Sequence, residues 1–169
     1  MEKEHIFKRK IMTKTKLAVT RLDAHIQKLA AECSQKTLAI WASDCAKRVL
    51  PNFEEKHPGD DRPRQAIAIA SAWAQGKAKM MEGRMASVAA HAAARMAASD
   101  SAACAAARSA GQTAGTCHAK MHAVAAGRYA ISSLRDQLGL SDSDEILIRE
   151  REWQLARLLE IVSEENKTE

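Results

Sequence analysis

Apolar positions recur at steps of three and four along most of the chain, and each stretch that keeps the step predicts a helix. Leu22, Ile26, Leu29 and Cys33 place one over residues 14–33. Leu38, Trp41, Cys45 and Val49 continue with a second, which Pro51 is expected to end, since proline lacks an amide donor and restricts the residue before it. Residues 51–64, PNFEEKHPGDDRPR, contain all 3 prolines and read as a structured loop. There Asp60 or Asp61 is placed to cap the next helix, with Pro63 in its first turn. That helix runs to about Gly76 and has Ala66, Ile69, Ala70 and Trp73 on its apolar side.

Between residues 86 and 130, 20 of 45 positions are alanine, yet the larger side chains keep a period. Met81, Met85, Val88, Ala92 and Met96 form an apolar stripe beside a polar one of Arg84, Ser87, His91 and Arg95, predicting a helix over 77–98. Ser99-Asp100-Ser101 supplies the cap for another, reaching about residue 118, in which Gly111 and Gly115 lie four apart. Small residues at that spacing let a neighbouring helix come close. A third Ala-rich helix covers 121–138 with Val124, Gly127, Ile131, Leu134 and Leu138 on its apolar side, and Gly139 suits its C-terminal cap. Ser141, with Asp144 three residues on, opens a last helix to about 163 along Ile148, Leu155, Leu159 and Val162. The expected fold is all-α, an irregular or orthogonal bundle of six or seven helices. A frayed basic start over 1–13 precedes one helical domain over 14–140, and an acidic helix within 141–169 packs on that domain.

Composition agrees: of 169 residues 34 are Ala, 7 Gly and 3 Pro, giving few backbone breakers and many helix formers. The cysteines Cys33, Cys45, Cys104 and Cys117 lack C-x-x-C spacing and read as small buried thiols in a reducing compartment, which favours the cytoplasm. No apolar segment follows the basic start, and the longest uncharged run of the Ala-rich middle, Ser109 to Ala119, has 11 residues. A bilayer needs about 18 to 20, so neither a signal peptide nor a membrane span is expected. The net charge of +5 is dispersed, with +5 over residues 1–36, 0 over 37–76, +5 over 77–130 and −5 over 131–169. Such a distribution does not announce specific nucleic-acid binding, and 4% aromatic residues give no platform for stacked bases.

Nucleophile-elbow, phosphate-loop, zincin and dinucleotide motifs do not occur, so the chain reads as a non-enzyme without cofactor. Glu54-Glu55-Lys56-His57 contains E-x-x-H, but a di-iron bundle needs a second copy and more inward acids, and residues 77–130 hold only Glu82 and Asp100. His118 and His122 lie four apart, with His91 or Cys117 as a third donor for a metal. No acid neighbours them, and Lys120 and Arg128 oppose a cation. Asp60-Asp61-Arg62-Pro63-Arg64 is the densest charged element. It offers either a cap with salt bridges that fixes the loop, or a contact surface formed with Asp44, His91, His118 or His122. Trp41 and Trp73 fall on apolar stripes and read as core residues. Tyr129, seven residues after His122, shares its helical face.

Several of these segments together resemble one family. They are Trp41-Ala-Ser-Asp44-Cys45-Ala-Lys-Arg-Val-Leu-Pro51, His57-Pro-Gly-Asp-Asp-Arg-Pro-Arg64, Ala70-Ser-Ala-Trp73-Ala, Ala89-Ala-His91-Ala-Ala-Ala-Arg95, His118 to His122 and Tyr129-Ala. Over about residues 36–137 the chain resembles the Imm-5-like putative immunity protein family. The resemblance implies a small prokaryotic all-α protein of the cytoplasm that protects its producer by binding a protein toxin. Asp61, Arg62, Arg64 and His91 are the expected contact residues, followed by His118, His122, Asp44 and Tyr129. A small enzyme or ligand-binding protein using the histidines and arginines around an anion or metal is the alternative. Inhibitors of basic nucleases are often acidic, because complementary fields speed association. This chain is basic, so the toxin is expected either not to be strongly basic or to meet the segment after residue 130.

Overall fold

The computed structural model describes residues 16–167, so the frayed start expected over 1–13 lies outside the described residues. Seven helices follow one another: α1 (Asp23–Glu32), α2 (Gln35–Glu54), α3 (Arg62–Ala74), α4 (Met80–Met96), α5 (Ser101–Gly115), α6 (Met121–Leu138) and α7 (Glu145–Glu165). No strand occurs among the described residues, and none of their helices is long and apolar enough to cross a membrane.

Helix α5 is the axle of the bundle, in contact with α2, α3, α4 and α6. Its sequence explains this. Ala103, Ala105, Ala106, Ala107, Ala110, Gly111, Ala114 and Gly115 are buried around almost its whole circumference, and side chains this small let several helices approach one backbone at once. Asp100 caps it, its carboxylate accepting from the Ala103 amide at 2.9 Å. Bulk comes from elsewhere: Leu38, Trp41 and Phe53 of α2, Ile26 of α1 and Leu158 of α7 are all fully buried.

Four sequence expectations are corrected. Residues 16–22 are not helical, and α1 begins at Asp23. The segment before it is tied to α6 instead, through Ala18 N donating to Ser132 Oγ at 2.9 Å and Arg135 Nη2 donating to the Lys16 carbonyl at 2.9 Å. Pro51 does not end α2, which continues to Glu54. Continuation buries Phe53 completely and lets Asn52 donate to Ser133 Oγ at 2.9 Å, and Pro51 and Lys47 both lie on the exposed side, where water can take the carbonyl that proline leaves unbonded. The stripe of Met81, Met85, Val88 and Met96 faces solvent, and α4 buries its Gly83, Ala86, Ala90, Ala93 and Ala94 line against the bundle. Against a partner as slim as α5, the small side gives the closer fit. Finally, α7 starts at Glu145 with Asp144 as its cap, and its buried line is Leu147, Arg151, Gln154, Leu158 and Ile161. Leu159 is exposed, and Ile148 and Val162 are half-buried.

The polar pair in that line holds α7 in place. Arg151, fully buried, donates to Asp23 of α1 at 2.7 Å and to the Gln154 side chain. Gln154 donates to the Gly127 carbonyl of α6 at 3.2 Å, and its own carbonyl accepts the Trp41 indole N–H of α2 at 2.7 Å. Gly127 makes room for this: a Cβ there would lie 2.9 Å from the Trp41 ring and 3.0 Å from Arg151 Nη1. Helices α1, α2, α6 and α7 thus meet at one connected polar node.

Candidate functional site

On the side of α5 facing away from α2, the two glycines expected to admit a neighbouring backbone instead seat imidazole rings. A Cβ at Gly111 would lie 2.7 Å from the His91 ring, and one at Gly115 would lie 3.1 Å from the ring of His122. Helix α4 presents His91 to α5 from one flank, while the turn into α6 presents His118 and His122 from the other. Arg108 and Gln112, four residues apart on α5 and half-buried, stand beside them.

The bonding assigns protons. Arg108 Nη1 lies 3.5 Å from His91 Nδ1. Guanidinium only donates, so His91 Nδ1 is the acceptor and the ring is neutral. His122 Nδ1 meets Gln112 Oε1 at 2.6 Å, which makes His122 the donor there. The His118 and His122 ring centroids are 5.0 Å apart. Burial, then Arg108, His122 and Arg95, depress the pKa of His91 to about 4; burial, then His118, depress that of His122. The result is a cluster of imidazole rings, with burial disfavouring the charged form of His91 and His122, beside the permanent positive charge of Arg108. It can donate and accept hydrogen bonds and favours an approaching carboxylate. Among the described residues no group of three or more His, Cys, Asp or Glu is arranged to hold a metal ion. Cys117 packs over Gly83, and burial pushes its thiol up to about 11, so it stays protonated at neutral pH.

The neutral His91 makes stability depend on acid. The unfolded chain protonates His91 near 6.5, the folded chain only near 4. Its contribution is therefore complete above pH 6.5 and is lost as pH falls toward about 4. An NMR titration should find the His91 ring titrating near 4, and the melting temperature should drop from pH 7 to pH 4.5 by several degrees, less in His91→Gln.

The remaining sequence candidates lie elsewhere. Asp44 sits at the α2–α7 contact, bonded to Arg157 at 2.9 Å and to Lys47 at 3.4 Å. Asp60 holds Arg62 through two side-chain bonds of 2.8 and 2.5 Å and also accepts the Arg62 amide, which keeps its carboxyl below the ordinary range. Asp61 accepts from Gln65 at 2.6 Å, and Arg64 is bidentate on Glu54 at 2.7 and 2.6 Å. These charges fix the entry to α3. Arg64 thereby reaches α2, and Arg62 reaches α4, its Nη2 lying 3.2 Å from the Met96 sulfur. Tyr129 is half-buried on α6, and Trp73 is half-buried where Trp41 is fully buried.

Sequence reasoning passed over Arg108 and Gln112. Their spacing of four, in step with Gly111 and Gly115, carried the signal: a polar pair beside a glycine pair on an otherwise all-small helix marks the place where something other than a helix packs. The apolar stripe of α4 is visible in the sequence, whereas its outward orientation is not. Met81, Met85, Val88 and Met96 are 52, 67, 62 and 73% exposed and share one helical stripe.

The described residues form seven helices with an Ala-lined centre, an imidazole cluster beside arginines and a bare apolar helix face. A family model described as Imm-5 like putative immunity protein matches residues 28–161, and the chain belongs to that family. No curated protein and no solved structure matches it.

Proposed function

We propose that the chain binds a protein toxin and neutralises it by covering its working surface, making and breaking no bond, and that the outward face of α4 is the contact. The observation that carries this reading is the stripe Met81, Met85, Val88 and Met96, with Met80 beside it, standing in water on a helix that had alanines to spare for its core. Contiguous exposed apolar side chains mark interaction sites, and unbranched methionines adapt to a partner's relief. From Met81 to Met96 the stripe runs roughly 22 Å at 1.5 Å per residue, a length suited to a standard interface of about 800 Å² per partner.

Charge supports the same face. Most arginines among the described residues pair with a carboxylate, whereas Arg84 and Arg95 of α4 and Arg108 of α5 do not. Helical spacing puts Arg84, His91 and Arg95 along one border of the stripe, and Arg62 touches Met96. A partner with acidic groups around an apolar patch fits this arrangement. It answers the puzzle of a basic immunity protein by requiring a toxin surface that is not itself basic.

The test is growth of cells producing a toxin from this gene's own neighbourhood. Protection by the chain is expected, with Met85→Asp/Val88→Asp weakening toxin binding by at least about 30-fold while the melting temperature stays within a few degrees. Undiminished protection by the double variant overturns α4 as the contact. If the chain protects against none of the neighbouring toxins, the toxin reading falls.

A further inference from the structure

Helices α1, α2 and the start of α6 line a groove of about 600 Å³, within the range of about 300–1,000 Å³ typical of small-molecule sites. Its walls are mostly apolar, including Leu17, Ala30, Leu38, Val124 and Ala125. At its edge lies Arg128, whose Nε is buried and has no hydrogen-bond partner, the single such side-chain atom among the described residues. No carboxylate pairs with this guanidinium among the described residues. The contrast with Arg151 is instructive: that guanidinium is more deeply buried, yet Asp23 and Gln154 satisfy it. Arg151 also lies close enough to Arg128 for the two like charges to repel. Lys120, a second cation on the groove, already donates to the Ala31 carbonyl at 2.8 Å.

Arg128 as a whole is half-buried, and a guanidinium with one sealed, unbonded N–H and no carboxylate beside an apolar groove gains from an acceptor arriving there. A planar carboxylate, with acceptors only, complements the donor-only fork of an arginine, and an alkyl chain complements the walls. We propose that this groove binds a single-chain amphiphilic carboxylate, its chain along Leu38, Val124 and Ala125 and its headgroup on Arg128. No lining residue of the groove belongs to α4, and the proposal does not depend on the toxin reading.

Titration calorimetry of the full chain with monomeric sodium dodecanoate tests it. Saturable one-to-one binding with a negative heat-capacity change is expected. Affinity should fall at least tenfold in Arg128→Met, which keeps the apolar stem and removes the charge, and at least tenfold with dodecanol in place of dodecanoate. Ala125→Trp, which fills the groove and leaves Arg128 in place, should abolish binding and serves if Arg128→Met does not fold. Any of the following results would overturn the proposal: no saturable heat up to about 1 mM ligand, equal affinity for dodecanol, undiminished binding by folded Arg128→Met or Ala125→Trp, and binding only to vesicles of anionic phospholipid. A concentration-dependent dimer that Ala125→Trp dissociates, without dodecanoate binding, would give the groove to a second copy of the chain and equally overturn it.

Discussion

Asp23→Ala is expected to be among the most damaging single charge removals in this chain, lowering stability by about 3–5 kcal/mol in urea unfolding. The reason is the asymmetry of the Asp23–Arg151 pair. The arginine side chain is 0% exposed and the aspartate side chain 20% exposed. Without Asp23, a guanidinium sealed among α1, α2, α6 and α7 keeps only Gln154 as partner. Without Arg151, the carboxylate can still reach water and still accepts from the Thr20 amide at 3.0 Å. Arg151→Met should accordingly cost clearly less than Asp23→Ala. Equal losses, or a larger loss for Arg151→Met, would show that packing of the long arginine stem matters more than its charge.

Replacing Trp41 ranks beside this. Trp41→Ala removes the largest fully buried side chain and is expected to cost about 3–5 kcal/mol, the transfer loss plus the cavity left behind. Trp41→Phe keeps most of the volume and deletes the 2.7 Å bond from the indole N–H to the Gln154 carbonyl, for about 1–2 kcal/mol. Trp73→Ala, at a half-buried site, should cost far less than Trp41→Ala. Denaturant midpoints of the three variants decide the matter. A Trp73→Ala loss as large as that of Trp41→Ala would mean that α3 contributes far more to the core than its exposure implies.

Much of the fold was legible because helix existence depends on local period and capping, both written in the sequence. Asp100 before α5, Gly139 after α6 with its φ of 65°, and Pro63 in the first turn of α3 all stand where their chemistry puts them. Which face turns inward was less legible. In a chain this rich in alanine, burial is decided by how closely backbones can approach, so on α4 the alanine line displaced the methionine line from the core. On α7, Arg151 and Gln154 occupy core positions because hydrogen bonds across four helices compensate their desolvation, and an apolar template has no place for such residues. Pro51 belongs to the same class, its local penalty outweighed by the burial of Phe53.

The site was legible only in part. The convergence of His91 with His118 and His122 follows from three segments that sequence reading singled out, but their seats on Gly111 and Gly115 depend on the packing of α4 and α6 against α5. The Asp60-Asp61-Arg62-Pro63-Arg64 element drew attention by charge density, and its charges are mostly consumed in fixing their own loop. Density of charge and availability of charge are different quantities; the arginines left without a carboxylate lie apart from that element.

An axle buried around almost its whole circumference by small side chains divides the molecule into a part that resists enlargement and a part that can be rewritten. A Cβ at Gly111 meets the His91 ring of α4 and one at Gly115 meets the His122 ring of α6, so enlargement there disturbs the packing on either flank. The outward line of α4 supports nothing behind it, and its side chains can be exchanged one by one while the scaffold stands. Under the proposed toxin-binding role that separation is useful, since new recognition can be tried on one helix without risking the fold.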